Sequence, residues 1–309
     1  MRKQIASNKR KSVLLVIGAF LFAAAVGYLI GYLLGGGSTS VALTALTIAV
    51  IVSIVMSWVS YFYGDRIVLS TSRARAVTPQ EEPRLHNVVE GLSLAAGLPK
   101  PTVYVVPEQA PNAFATGRDP SHSSIAVTQG LLDMMDRVEL EGVIGHEMSH
   151  VRDRDILLGT IVATLVGVVV LMAEFMLRWM WWGGMGGMGR RRGGSNEGGE
   201  GFFILAIVGL ILAILAPFFA QIIKLAMSRG REYLADAEGA MLTRYPPGLA
   251  SALRKVAGDN TPMRVANNAT AHLWLNQPSR TPGSEPHWWE ALFSTHPPIE
   301  ERIRRLEEM

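Results

Sequence analysis

Residues 136–150 read DRVELEGVIGHEMSH, and this stretch decides the fold because it combines a helix start with a pair of histidines. Asp136 followed three residues later by Glu139 is the pattern of a helix-capping box. The apolar residues at 140, 143 and 144 then repeat with the period of a helix. The sequence therefore predicts one helix that begins at Asp136 and carries both histidines near its end.

The two histidines of this helix have the spacing of metal ligands. His146 and His150 are four residues apart, so their imidazoles lie one turn apart on the same helix face and can reach a single ion. Glu147 lies beside that ion, where it can accept a proton from a water molecule. The motif predicts a zinc-dependent hydrolase with His146 and His150 as ligands and Glu147 as general base.

A catalytic zinc ion usually has three protein ligands, so a third is expected elsewhere in the chain. Glu232 and Asp236 are also four residues apart and share one face of a predicted helix. We assign Glu232 to the metal and Asp236 to a hydrogen bond that orients a ligand histidine. Considered alone, this pair also fits an ion-paired helix face, with Arg229 and Arg231 nearby.

Long apolar segments indicate a membrane protein. Of the 309 residues 49% are hydrophobic, and no Asp, Glu, Lys or Arg occurs between Lys11 and Asp65. Four apolar segments approach or reach the length needed to cross a bilayer. The predicted spans are 13–34, 41–63, 156–173 and 202–223. The third is the weakest, because a buried hydrophobic hairpin that does not cross also fits it.

These spans divide the chain into four predicted units. They are an N-terminal transmembrane hairpin (1–64), a protease subdomain (65–155), a second hydrophobic hairpin (156–223) with a Gly-rich loop (183–201), and a C-terminal subdomain (224–309). Basic residues flanking the first hairpin place the N-terminus, the protease subdomain and the C-terminus in the cytoplasm of a multi-pass membrane protein. Three arginines at 190–192 do not fit this orientation, because the topology puts their loop outside the cell, where basic residues are less common.

Composition also narrows the partners. The chain has no cysteine, so the metal must be held by histidines and carboxylates. The net charge is only +3, and no basic stripe interleaved with aromatic residues indicates nucleic acid. The predicted partners are therefore the lipid bilayer and polypeptide substrates.

The protease subdomain is predicted to contain both helices and strands. Thr78-Pro79 has the pattern of a helix start, and Gly97 that of its end. Thr102–Val106 reads as a strand, and 112–116 with 124–128 as a hairpin around a Gly-Arg-Asp-Pro loop. A short charged helix is expected at the end of the sequence, over 299–309.

His146-Glu-x-x-His150, Glu232-x-x-x-Asp236, the four spans and residues 293–298 (FSTHPP) together resemble the HtpX-type membrane metalloproteases, which are relatives of the CAAX prenyl proteases. The resemblance covers nearly the whole chain. It implies a small α+β, gluzincin-like protease domain in a mainly α membrane protein. It also implies a bacterial or archaeal inner-membrane enzyme that holds one Zn²⁺ and cleaves damaged membrane proteins in quality control.

The resemblance further implies that the segment from Asn112 through Ala113 and Phe114 to Ala115 forms an edge strand that holds the substrate backbone. His296 is a candidate for polarising the substrate carbonyl. A structural hairpin strand and a plain loop histidine are the alternatives. For the whole chain the alternatives are a CAAX-type protease, which generally has more spans, and a non-catalytic zinc-stabilised scaffold or chaperone, against which the intact Glu147 argues.

Spacing suggests how the site is attached to the membrane. His150 lies six residues before Ile156, and Glu232 lies nine residues after Ile223. We expect spans three and four to continue as two unbroken helices that meet at the metal, about one to two helical turns above the headgroups. Because both ligands bind one ion, the number of crossings between them must be even.

Overall fold

The computed structural model describes residues 2–164, 229–265, 270–276 and 297–309. There the chain is mostly helical, with one small mixed sheet. The helices are α1 (Arg2–Leu34), α2 (Thr39–Thr71), α3 (Pro83–Ala96), α4 (Gln129–Met134), α5 (Arg137–Asp153), α6 (Asp155–Thr164), α7 (Arg229–Thr243), α8 (Pro246–Gly258) and α9 (Ile299–Glu307). The strands are β1 (Arg75–Ala76), β2 (Thr102–Val106), β3 (Ala113–Asp119) and β4 (His122–Thr128).

The first two helices form the predicted apolar hairpin. Ser12–Tyr32 within α1 and the whole of α2 are long and apolar enough to cross a membrane. The two helices approach closely because Gly31 leaves room for the Cα of Ala42, which a Cβ at Gly31 would meet at 2.8 Å. Helix α2 extends eight residues past the expected end at 63. Its last two turns pack Val68 and Leu69 against the sheet.

Span three is described only at its start, and span four lies wholly outside the described residues. Residues 156–164 belong to α6, whereas the rest of the predicted spans, up to 223, and the loop 183–201 lie outside the described residues. The expectation of one unbroken helix from His150 into span three is wrong. Helix α5 ends at Asp153, Arg154 takes the left-handed conformation with φ of 60°, and α6 then begins at Asp155.

The sheet has the strand order β1-β2-β4-β3, with β2 and β4 parallel and the other pairs antiparallel. Strand β3 is therefore an edge strand. Both faces of the sheet are covered, and side chains of β3 alternate between them: Ala113 and Ala115 join the core formed with α3, α5 and α8, whereas Phe114 joins the core formed with the end of α2. This alternation follows from the period of two in a strand.

Helix α3 begins later than expected. Its first residue is Pro83, while Thr78-Pro79 opens a separate turn in which Thr78 O accepts from the backbone N–H groups of Glu81 and Glu82. Pro83 has no N–H to donate to residue 79, so it ends that turn and starts the helix proper. The end at Gly97 is as expected, with a left-handed φ of 66°.

Candidate metal centre

Helix α5 positions the histidine pair, and its start is the expected capping box. The Asp136 side chain accepts from the Glu139 backbone N–H at 2.8 Å, and the Asp136 N–H donates to the Glu139 carboxylate at 2.9 Å. His146 and Glu147 are buried, and His150 is partly exposed. The Nε2 atoms of the two histidines lie 3.2 Å apart and point to one place.

Helix α7 brings Glu232 to the same place. Its carboxylate oxygens lie 3.8 Å from His146 Nε2 and 3.7 Å from His150 Nε2. Helices α5 and α7 cross with their backbones in contact. Gly239 allows this because it has no side chain, since a Cβ there would lie only 2.7 Å from the backbone nitrogen of His146. The pair of helices therefore joins three ligand-type side chains from segments that are 82 residues apart in sequence.

The His146 side of the cluster is held by a buried ion pair. Asp236 Oδ1 lies 2.9 Å from His146 Nδ1. Arg302 of α9 donates to both Asp236 oxygens, from Nε at 2.8 Å and from Nη2 at 2.7 Å, and donates from Nη1 to the Leu275 carbonyl at 3.0 Å. Burial alone raises the pKa of Asp236, but Arg302 and His146 outweigh it and hold this pKa at about 2.

The His150 side has a similar arrangement that sequence reasoning missed. Asp155 Oδ2 lies 3.2 Å from His150 Nδ1, and Asp155 Oδ1 accepts from Arg231 Nη1 at 3.1 Å. Burial raises the pKa of Asp155, but His150 and Arg231 bring it below its usual value. Each ligand-type histidine is thus backed by an aspartate, and each aspartate by an arginine.

Glu147 is the candidate base. Its carboxyl is buried, and this burial raises its pKa, which His146 and His150 only partly offset. A raised pKa makes a carboxylate a stronger proton acceptor near neutral pH. Glu147 also lines the same small cleft, of about 40 Å³, as His146, His150 and Glu232.

The edge strand borders this cleft at Ala115. Leu275 N–H donates to Ala113 O at 2.8 Å, and Gly117 N–H donates to Thr160 Oγ1 at 3.2 Å. The outward-facing backbone groups of β3 therefore belong to its odd-numbered residues. Ala115 lies between these two contacts and lines the cleft.

The other predicted substrate-binding residues are placed differently. Asn112 is buried and exchanges two hydrogen bonds with the Asn276 backbone, at 2.9 and 3.1 Å. Phe114 is buried edge-on against Trp274, with ring centroids 4.7 Å apart. Neither side chain reaches the cleft. His296 lies outside the described residues.

Comparison with known proteins assigns the family. The sequence model of peptidase family M48 matches residues 79–309. This range is most of the chain and includes His146, His150 and Glu232. The chain belongs to peptidase family M48.

Several relatives that align over nearly the whole chain are named "Protease HtpX homolog". Three proteins named "Protease HtpX homolog" illustrate the range. The one from Thermoanaerobacter pseudethanolicus is 48% identical over 304 residues, covering 98% of this chain and 96% of the relative. The one from Dictyoglomus thermophilum is 44% identical, covering 99% and 93%. The one from Lactobacillus acidophilus is 41% identical and covers 99% of both chains.

Among solved structures, the crystal structure of S. mikatae Ste24p is similar with a TM-score of 0.46 at 18% identity, covering 99% of this chain and 67% of that one. This likeness is too weak to transfer fold or chemistry. The M48 match and the HtpX relatives themselves confirm the predicted resemblance and the prediction of a membrane metalloprotease.

The geometry of the cluster formed by His146, His150 and Glu232 fits a metal ion. Two ligand nitrogens at about 2.0–2.1 Å from a tetrahedral ion lie roughly 3.4 Å apart, close to the 3.2 Å between His146 Nε2 and His150 Nε2. The site also attracts positive charge. Burial lowers the pKa of His150, but Asp155, Glu232 and Glu147 outweigh it and raise this pKa to about 9. A divalent cation satisfies the same carboxylates while the imidazole stays neutral.

Proposed function

We propose that this chain is a zinc endopeptidase that hydrolyses misfolded or damaged membrane proteins at the cytoplasmic face of the cell membrane. The observation that carries the proposal is the convergence of His146 Nε2, His150 Nε2 and the Glu232 carboxylate, whose ligand atoms all lie within 4.8 Å of one another. Two imidazoles and one carboxylate with room for water are the ligand set of a catalytic zinc ion. One such ion per chain is expected.

The residues of the cleft have separate roles in this reaction. When bound, zinc supplies a Lewis acid that polarises the scissile carbonyl and makes water more acidic. Glu147 accepts the proton of the attacking water and then donates it to the leaving amine. Within the predicted edge-strand segment, Ala115 is the residue whose backbone faces outward at the cleft and is placed to pair with an extended peptide, rather than Asn112, Ala113 or Phe114.

Membrane-proximal substrates are supported by the course of strand β3. The guanidinium of Arg118 lies over the ring of Phe62, 5.4 Å from its centroid, and Phe62 belongs to a run of exposed aromatic residues on α2. Such aromatic residues are typical of the membrane interface. From Arg118 to Ala115 is three residues, or about 10 Å along a strand. The cleft is therefore close to the bilayer surface, where juxtamembrane segments of substrates lie.

The general base is tested with Glu147→Gln in the purified full-length protein. This variant should keep its zinc but lose casein hydrolysis by about 10²- to 10⁴-fold, because an amide cannot take the proton. Metal analysis and a cleavage assay measure the two properties. Glu141→Gln is the matched control, since Glu141 lies on the same helix and pairs with Arg137 at 3.0 Å.

Three outcomes separate the alternatives. Undiminished activity of Glu147→Gln would remove Glu147 from the mechanism. Zinc binding by the wild type without cleavage would favour the non-catalytic scaffold. Chelator-resistant cleavage would exclude a metal-dependent protease altogether.

We also propose the four-unit organisation (1–64, 65–155, 156–223, 224–309), four spans and a gluzincin-like core, because His150 and Glu232 meet although the segment between them is strongly apolar. The chain has no cysteine, so single cysteines report topology without background. Ser195→Cys should react with an impermeant maleimide only from outside intact cells. Ser121→Cys should react only from the cytoplasmic side of inverted vesicles. Labelling of both from one side would mean that residues 156–223 do not cross.

A further inference from the structure

The carboxylate of Asp155 is placed to control the His150 ring. A neutral imidazole carries one N–H, so a hydrogen bond from Nδ1 to a carboxylate leaves the lone pair of Nε2 for a metal. The 3.2 Å contact of His150 Nδ1 with Asp155 Oδ2 has this orientation, since His150 Nε2 points toward Glu232 and His146.

The backbone brings Asp155 to His150 by breaking the helix. On a continuous helix a residue five positions later lies about 140° around the axis and faces away. Here α5 stops at Asp153, and the left-handed conformation of Arg154 turns the chain before α6 starts at Asp155. The break is thus what allows Asp155 to face His150.

Asp155 also reaches the second ligand-bearing helix. Its Oδ1 accepts from Arg231, which immediately precedes Glu232 on α7. One side chain therefore contacts a ligand histidine and the residue adjacent to the ligand glutamate. The contacts are largely shielded from water, since the Asp155 side chain is 13% exposed and that of Arg231 7%.

We propose that Asp155 is a positioning residue of the metal centre, which fixes the ring of His150 for metal binding and, through Arg231, the place of Glu232. This inference rests on the proposed function, because it assumes that His150 and Glu232 hold a metal. It assigns to the first residue of the apolar helix α6 the part that Asp236 plays for His146.

A purely structural role for Asp155 makes a different prediction. An acidic residue at a helix start stabilises the helix through its dipole and through free backbone N–H groups. Asparagine serves the same purpose at a helix start almost as well. If that were all, Asp155→Asn would leave zinc affinity unchanged.

The test measures metal affinity of the full-length protein in detergent by competition with a chelator. Zinc should bind about 10-fold more weakly to Asp155→Asn, which retains an acceptor oxygen, and up to about 100-fold more weakly to Asp155→Ala. The visible absorption of the Co²⁺-loaded protein should change as well, because it reports ligand geometry. Asp136→Asn is the control, since it makes the same change at a helix start that touches no histidine.

The outcomes keep the two proposals apart. If the wild type binds no metal, the proposed function fails. If the wild type binds zinc and both Asp155 variants match it within twofold, only the positioning role is overturned. Melting of the metal-free variants shows whether they are folded, and affinity is compared only between proteins that melt alike.

Discussion

The two sides of the metal centre use the same three side-chain types but differ in burial and in origin. The His146 side chain is 1% exposed, and its supports come from α7 and from the distant helix α9. The His150 side chain is 17% exposed, and its support Asp155 begins the apolar helix α6. The first side is sealed in the protein interior. Both histidines line the cleft, but the second side is more exposed to solvent and continues into the apolar helix α6.

Removal of the buried arginine on the His146 side should have the largest effect on stability. Arg302→Met leaves the Asp236 carboxylate buried without its counterion, which should lower the free energy of unfolding by about 3 to 5 kcal/mol. Chemical denaturation of the metal-free protein in detergent measures this change in the free energy of unfolding. Arg304→Met, on the exposed face of the same helix, should change little. A loss no larger than that control would mean that the ion pair does not secure this side.

The equivalent change on the His150 side should have a smaller effect. Arg231→Met removes one charged hydrogen bond to Asp155, which still contacts His150 and is partly reached by water. We expect a loss of about 1 to 2 kcal/mol in the same denaturation assay. Equal losses for Arg231→Met and Arg302→Met would show that the two sides are equally sealed, against the comparison.

Local patterns made half of the centre predictable from sequence. The capping box at Asp136 and the spacing of His146 and His150 depend only on helix geometry, and the structure has both on α5. Glu232 and Asp236 could be paired with them because their own spacing of four residues fits the same task. Each of these features lies within one turn of one helix.

The other half of the metal centre could not be predicted from local sequence patterns. Asp155 faces His150 only because Arg154 leaves the helical conformation, and no local pattern predicted that break. Arg302 lies 156 residues from His146 and meets it only in the folded chain. The charged helix expected over 299–309 is present as α9, but its local pattern does not show that Arg302 is buried against Asp236. The sequence does not fix the start of α3, because Pro79 and Pro83 both fit the first position of a helix.

The position of Arg302 in the chain also sets an order of events during biosynthesis. At about 5–20 residues per second, the 156 residues from His146 to Arg302 take roughly 8 to 30 s to translate. During that interval the nascent chain has its histidine pair but lacks the arginine that neutralises Asp236. The ligand Glu232 and the arginine that pairs with Asp236 both follow the last apolar segment in the sequence, so the complete centre can form only after all four apolar segments have been translated.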